Sequence, residues 1–304
     1  MTQKENKSKR RRWIGRLLVW VIKLNHYLPA KQNNWLSLLS SRIAMRLNTQ
    51  ASRAIRDNIS LCFPEYSKQE QSNLVHQFLV QNSHMSKECA LAWLGDKSDI
   101  DAKLDKVSNK ELIIHFQQAN KPIIIVVPHI GNWEYFWHWL QLNYSAITMY
   151  SPSKYEAVSK LILSSRKRFG GQVCSSDIGG MMKLFKGLKQ NKIIMILPDQ
   201  APNPKSGIYS PFFGHPAYTM TLLHRLIQKT GAQLIFGASI RNKNNHFDIC
   251  LEAPNFDSQT DDLEKFNLGL NRQIESMILK NPSQYLWSYK RFKRQPKDQG
   301  IYTY

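Results

Sequence analysis

Ile123-Ile124-Ile125-Val126-Val127-Pro128-His129-Ile130-Gly131-Asn132-Trp133-Glu134 reads as a strand, a turn and the start of a helix. Five consecutive β-branched residues mark a strand buried on both faces, as in a parallel sheet. Pro128 ends it, Gly131 permits a sharp bend, and Asn132 has the side chain to cap a helix. Ile193 to Leu197 repeats the pattern and again ends on a proline, Pro198, followed by Asp199. Leu234 to Ile240 and His246 to Leu251 read as further strands. Helices are expected around Val158 to Phe169, Met181 to Lys189 and Thr219 to Lys229, the last closed by Gly231 as a C-cap. Strands alternating with helices predict an α/β fold with a mostly parallel central sheet flanked by helices. Ligands in such sheets gather where strands end and helices begin, and Pro128-His129 and Pro198-Asp199 both sit at such ends.

Residues from about 35 to 95 read as helical, with Leu36, Leu39, Ile43 and Leu47 on one stripe and Leu74, Phe78 and Val80 in a later one; Pro64 separates two helices. The predicted organisation is a basic N-terminal segment and membrane anchor over residues 1–30, then a single α/β domain over 31–304 whose first part is helical.

The 304 residues are 42% hydrophobic and 11% aromatic, enough for a sizeable core, and carry a formal net charge of +20. That excess favours anionic partners, whether nucleic acid, acidic lipid headgroups or an acidic carrier protein; a generally basic soluble enzyme is the plainer reading. Lys7, Lys9 and Arg10 to Arg12 precede a mostly apolar stretch from Trp13 to Leu24, with Ile14, Leu17, Leu18, Val21 and Ile22 at spacings of three and four. Arg16 and Lys23 interrupt it, so the run is too short for a comfortable span and too charged for a secretory signal. An amphipathic helix lying in the bilayer interface fits best. The alternatives are a terminal helix packed on the domain and, last, a basic nucleic-acid arm, for which no recognition motif is present. Cys62, Cys89, Cys174 and Cys250 lack CxxC or metal-ligand spacing and read as reduced core thiols in a cytoplasmic setting. No metal or other cofactor is implied.

There is no GxSxG elbow, P-loop, GxGxxG or HExxH, so acyl-serine and nucleotide chemistry recede. His129 remains as a base able to take a proton from an attacking hydroxyl. On one helix a carboxylate five residues away would point elsewhere, but a chain bending between strand end and helix lets Glu134 reach the imidazole and fix its tautomer. The helix start would then offer backbone N–H groups to a developing oxyanion. The spacing alone is a weak signal, and the strand–turn–helix context is what raises it above a core histidine. Trp133 to Leu142, apolar nearly all round, reads as a buried helix or as part of the wall of an acyl-chain groove.

Four blocks in this chain resemble a known family, the late or secondary acyltransferases of lipid A biosynthesis. They are His129-Ile130-Gly131-Asn132-Trp133-Glu134, which is similar to that family's HX4D/E motif; Pro198-Asp199-Gln200; Gly207 with Pro211-Phe212-Phe213-Gly214 and Pro216-Ala217; and Pro282 to Lys293. The resemblance implies a catalytic pair of His129 and Glu134, a functional arginine at Arg166 and a functional acid at Asp199. Glu88, in Lys87-Glu88-Cys89-Ala90, resembles an early acidic position, and Asn132 and Glu88 join Arg166 and Asp199 as expected substrate contacts. Tyr289 stands where many members carry histidine. The resemblance further implies an acyl–acyl carrier protein donor, an anionic lipid A-type acceptor, a membrane surface but no nucleic acid as partner, and the cytoplasmic face of the bacterial inner membrane.

Taken together, the expectation is direct transfer: His129, oriented by Glu134, deprotonates an acceptor hydroxyl that attacks the donor thioester. Arg166 is expected to hold an acceptor phosphate or to sit on an ordinary charged helical face, and Asp199 to act in catalysis or to cap its loop. Lys290, Arg291, Lys293 and Arg294 are expected to meet the carrier or headgroups, or to form a solvated basic edge. A related acyltransferase of glycerophospholipids or amino-acid lipids, with acyl-CoA as a possible donor, is the alternative.

Overall fold

The computed structural model describes residues 3–27, 49–296 and 300–302, and in it the isoleucine run lies at the centre of a seven-stranded sheet. Its strands are β1 (Leu104–Ser108), β2 (Ile123–Val126), β3 (Ala146–Tyr150), β4 (Gln172–Ser175), β5 (Ile193–Ile196), β8 (Gln233–Arg241) and β9 (Phe247–Glu252). A separate hairpin joins β6 (Gly207–Phe212) to β7 (His215–Met220). The helices are α1 (Gln3–Tyr27), α2 (Gln50–Cys62), α3 (Lys68–Leu94), α4 (Lys97–Asp101), α5 (Glu111–Gln118), α6 (Trp133–Asn143), α7 (Glu156–Lys167), α8 (Ile178–Lys189), α9 (Leu222–Thr230) and α10 (Leu263–Lys280).

The sheet order is β1-β9-β8-β2-β5-β3-β4. The strands from β8 through β4 are mutually parallel, while β9 runs antiparallel to β8 and carries β1 with it. β2 and β5 are fully buried, as expected of strands covered on both faces. Side chains alternate across the sheet: Ile124, Val126, Ile194 and Ile196 face one core with α8, α9 and α10, and Ile123, Ile125 and Ile193 face the other with α6.

Pro64 does separate two helices, α2 ending at Cys62 and α3 opening at Lys68 behind a Ser67/Glu70 capping box. The stripe Leu36, Leu39, Ile43 and Leu47 lies outside the described residues. The helix expected from Thr219 begins instead at Leu222, because Thr219 pairs with Ile208 across the β6–β7 hairpin.

α1 departs from a simple amphipathic helix. Ile14, Gly15, Val19 and Ile22 are turned toward the body, where a Cβ on Gly15 would stand 3.3 Å from that of Tyr155. Trp13, Leu17, Leu18, Trp20, Val21 and Leu24 are exposed. The expected single stripe is therefore split between an inner and an outer apolar face. No described helix is long and apolar enough to cross a membrane.

Candidate active site

Two adjacent parallel strands, each closed by a proline, set up the site. β2 and β5 pair with Val126 opposite Ile196, so three residues further on His129 and Asp199 emerge at the same height. The two meet: His129 Nδ1 lies 2.7 Å from Asp199 Oδ1, and the His129 backbone N–H donates to Asp199 Oδ2 at 2.9 Å. Asp199 is 2% exposed and His129 12% at the side chain, so the pair is sheltered with one edge of the ring still accessible. Burial alone would raise the Asp199 carboxyl, but the His129 ring and amide outweigh it and hold it below the usual carboxylate range. An ionised Asp199 fixes the imidazole with its proton on Nδ1 and leaves a lone pair on Nε2. The Gln200 amide donates to that Nε2 at 3.1 Å.

The turn carrying His129 is locked from behind. Gly131 N–H donates to Gln284 O and Asn132 N–H to Ser239 O, both at 2.9 Å, while Ile130 N–H bonds Pro128 O. Gly131 has φ +60°, and a Cβ there would fall 1.9 Å from Ser239 O, so glycine is required by both conformation and space. Asn132 caps α6, its Oδ1 accepting from Tyr135 N–H. Fully buried, Asn132 caps the helix and is not in the lining of the cavity that His129 faces. The amides of Ile130, Gly131, Asn132 and Tyr135 are thereby engaged and are not available to an oxyanion.

Glu134 does not orient His129. Its two oxygens accept from Arg166 Nη2 at 2.5 Å and Nε at 3.1 Å. One step into α6 the side chain has turned away from the strand end toward α7, where Arg166 waits. Burial would raise the Glu134 carboxyl, but the guanidinium dominates and holds it down, while Arg166 is held above its usual range by Glu134 despite burial. Arg166 is therefore neither an exposed surface charge nor free: its Nη1 also donates to Met149 O at 3.2 Å.

Arg166 and His129 line one cavity of about 580 Å³. Its walls come from β3, α7, α8, β5, the segment after β5 and the start of α9, with Ile162, Ile178, Ile196 and Leu222 among the apolar contributors. Four methionines, Met149, Met181, Met195 and Met220, give it adaptable walls suited to a flexible chain. Trp133 stacks edge-on to the His129 ring at 4.6 Å, but Tyr135, Phe136, Trp137 and Trp139 are core residues beneath the sheet. The α6 aromatics thus build the scaffold and not an acyl groove.

The whole of this architecture falls within one family match. Residues 1–294 match the model of the bacterial lipid A biosynthesis acyltransferases. The chain belongs to that family. It is 25% identical over 288 residues to the lipid A biosynthesis lauroyltransferase of Escherichia coli K12, covering 94% of this chain and 92% of the relative. It is 25% identical over 293 residues to the myristoyltransferase of the same organism (92% and 86%) and 24% identical over 259 residues to a lipid A biosynthesis acyltransferase of Haemophilus influenzae (84% and 81%). The protein is an acyltransferase.

The remaining blocks of this lipid A-type acyltransferase support the site. Phe213 and Gly214, both at positive φ, form the two-residue turn of the β6–β7 hairpin. Tyr289 accepts the Ala201 N–H at 2.9 Å and so ties the C-terminal block to the loop after Asp199. Arg291 is 2% exposed and donates to Tyr218 O and Thr219 Oγ1, which removes it from the expected basic edge. Glu88 pairs with Arg241, which also contacts Gln81, on the far side of the His129 turn from the cavity. Glu88 braces the turn from outside the lining of the cavity that His129 and Arg166 share. Gln284 completes that buttress, its amide bridging Arg241 N–H and O at 3.1 and 3.0 Å. Gln200 and Gln284 went unread as separate residues because a lone glutamine carries no spacing signal; only the strand pairing brings them to the turn.

Proposed function

We propose that this acyltransferase moves a fatty acyl group from acyl–acyl carrier protein to a hydroxyl of a lipid A precursor, with His129 as general base oriented by Asp199. The observation that carries this reading is the His129–Asp199 pair at 2.7 Å beside a methionine-walled cavity. The acceptor hydroxyl takes the place of the Gln200 amide at Nε2. As its oxygen attacks the thioester carbonyl, Nε2 receives the proton and Asp199 stabilises the imidazolium. The tetrahedral intermediate collapses with cleavage of the C–S bond, and the departing thiolate takes the proton back from Nε2. Displaced Gln200 N–H lies at the cavity wall, where it serves the oxyanion, and Arg166 offers an acceptor phosphate the N–H groups that Glu134 and Met149 O leave over.

The outer face of α1 supports a membrane-surface location on the cytoplasmic side of the inner membrane. Trp13 and Trp20, 65% and 60% exposed, share that helix with exposed Arg10, Arg11, Arg12, Arg16 and Lys23. Such a helix lies in the interface with its indoles at headgroup level.

The test is turnover with a panel of acyl–carrier proteins and acyl-CoAs against lipid A precursors and lysophospholipids, read by mass spectrometry. Acyl–carrier protein with a lipid A precursor is the expected productive pair, and His129→Ala should lower its turnover by ~10²–10⁴-fold in a folded protein. Full activity of that variant, or product only on lysophospholipids, rejects the proposal.

A further inference from the structure

Ile178 both lines the cavity and is 75% exposed, so it marks where the cavity reaches the surface. It opens α8, a helix anchored on its inner side by buried Leu184, Gly187 and Leu188. One turn beyond Ile178, Met182 is 63% exposed. Lys183, Lys186 and Lys189 follow on the exposed part of the same helix. Asp177, the acid at its start, is occupied as the helix cap, accepting from Gly180 N–H at 2.8 Å and Ser175 Oγ at 2.7 Å. Lys183 Nζ donates to Val173 O of the edge strand β4 at 3.3 Å, and Lys189 Nζ lies 4.8 Å over the Phe185 ring.

This surface continues toward α1. Ser176 Oγ is 3.4 Å from Ser151 Oγ, which starts the loop ending at Tyr155, and Tyr155 packs on Gly15 of α1. Exposed apolar side chains with adjacent cations are therefore carried by both helices that reach this loop, by α8 at the cavity rim and by α1 on the face opposite its Gly15 contact. Large apolar side chains standing in water beside a substrate opening mark a contact surface. Cations alone would suit an acidic carrier protein; apolar and basic groups together, on two elements, suit an anionic bilayer.

We propose that Ile178, Met182, Lys183 and Lys186 of α8 form a second bilayer-docking surface, seating the cavity opening on an anionic lipid surface. The proposal rests on the reading of this chain as a membrane-surface lipid acyltransferase. Its test is flotation of the full-length protein with phosphatidylglycerol vesicles and with phosphatidylcholine vesicles, comparing wild type with the M182E/K183E/K186E variant. None of these three residues lines the cavity. The variant should bind phosphatidylglycerol vesicles ~10-fold or more weakly, with an unchanged melting temperature. Its turnover should fall on vesicle-borne acceptor and stay unchanged on detergent-dispersed acceptor. Equal vesicle binding by the two proteins overturns the proposal. So does unchanged vesicle binding with a raised KM for the acyl carrier, which would assign the face to that protein. His129→Ala run alongside keeps the claims separate: if it turns over normally, the catalytic reading fails whatever the vesicles report.

Discussion

Glu134 and Arg166 are joined by two hydrogen bonds, at 2.5 and 3.1 Å, with both side chains at most one-tenth exposed. The pair fastens α7 to the first turn of α6 and holds one cation at the cavity wall. Removing one partner strands the other charge in the interior, which costs about 3–5 kcal/mol, whereas removing both relieves most of that penalty. Glu134→Ala should therefore be much less stable in denaturant unfolding than wild type, and Glu134→Ala/Arg166→Ala should be less destabilised than the sum of the single changes. Additive losses would mean that the two side chains do not share an interaction.

Asp199 is the group expected to orient the His129 imidazole. Asp199→Asn keeps the volume but removes the charge and leaves one acceptor oxygen for two donors, His129 Nδ1–H and the His129 backbone N–H. Turnover should fall by roughly 10²–10⁴-fold. Glu134→Gln, whose carboxylate meets Arg166 and not His129, should cost far less turnover in its folded fraction. A loss of turnover that follows Glu134 and ignores Asp199 would restore Glu134 as the orienting acid.

The sheet was legible where strands are buried on both faces: Ile123 to Val127 and Ile193 to Leu197 each correspond to a central strand. β4 and β6, mixed in burial, carry no comparable run and were not foreseen. His129 was found because the turn after its strand is written locally in Pro128, Gly131 and Asn132. Its partner could not be found that way. Adjacency of β2 and β5 is a matter of strand order, and nothing local says that a residue 70 positions on will be nearer than one five positions on. The matching Pro128-His129 and Pro198-Asp199 endings were the available clue, and the register of Val126 with Ile196 turns it into a contact.

Glu88 provides a pH-dependent check on the buttress behind the site. Burial pushes its carboxyl up to about 7, against the opposing pull of Arg241. The folded state then holds this proton more tightly than the unfolded chain does. Between the ordinary glutamate value and about 7 the folded protein is the more protonated form, so this residue makes stability fall as pH rises through that window. Glu88→Gln removes the titration. The melting temperature of wild type relative to Glu88→Gln should therefore be more favourable at the acid end of the window than above it. A gap that widens in wild type's favour with rising pH would show that the ion pair with Arg241 outweighs burial.

Gly131 is the residue on which the whole turn depends, and its replacement tests the geometry with the smallest possible change. At φ +60° an alanine is strained by about 1–3 kcal/mol even in open space. Here the added methyl would also stand 1.9 Å from Ser239 O, a backbone atom of β8 that cannot swing aside like the end of a side chain. The strand and the turn must separate, and the Asn132 N–H to Ser239 O bond is lost with them. His129, two residues before, then leaves the height at which it meets Asp199. Gly131→Ala should lower the melting temperature and, in whatever fraction stays folded, depress kcat more than KM for the donor. Gly214→Ala is the matched control: φ is +75° there, but nothing lies within 4 Å of the added methyl, so the backbone strain is present without the collision. If the two variants behave alike, the close approach of Gly131 to β8 is not what holds the turn that carries His129.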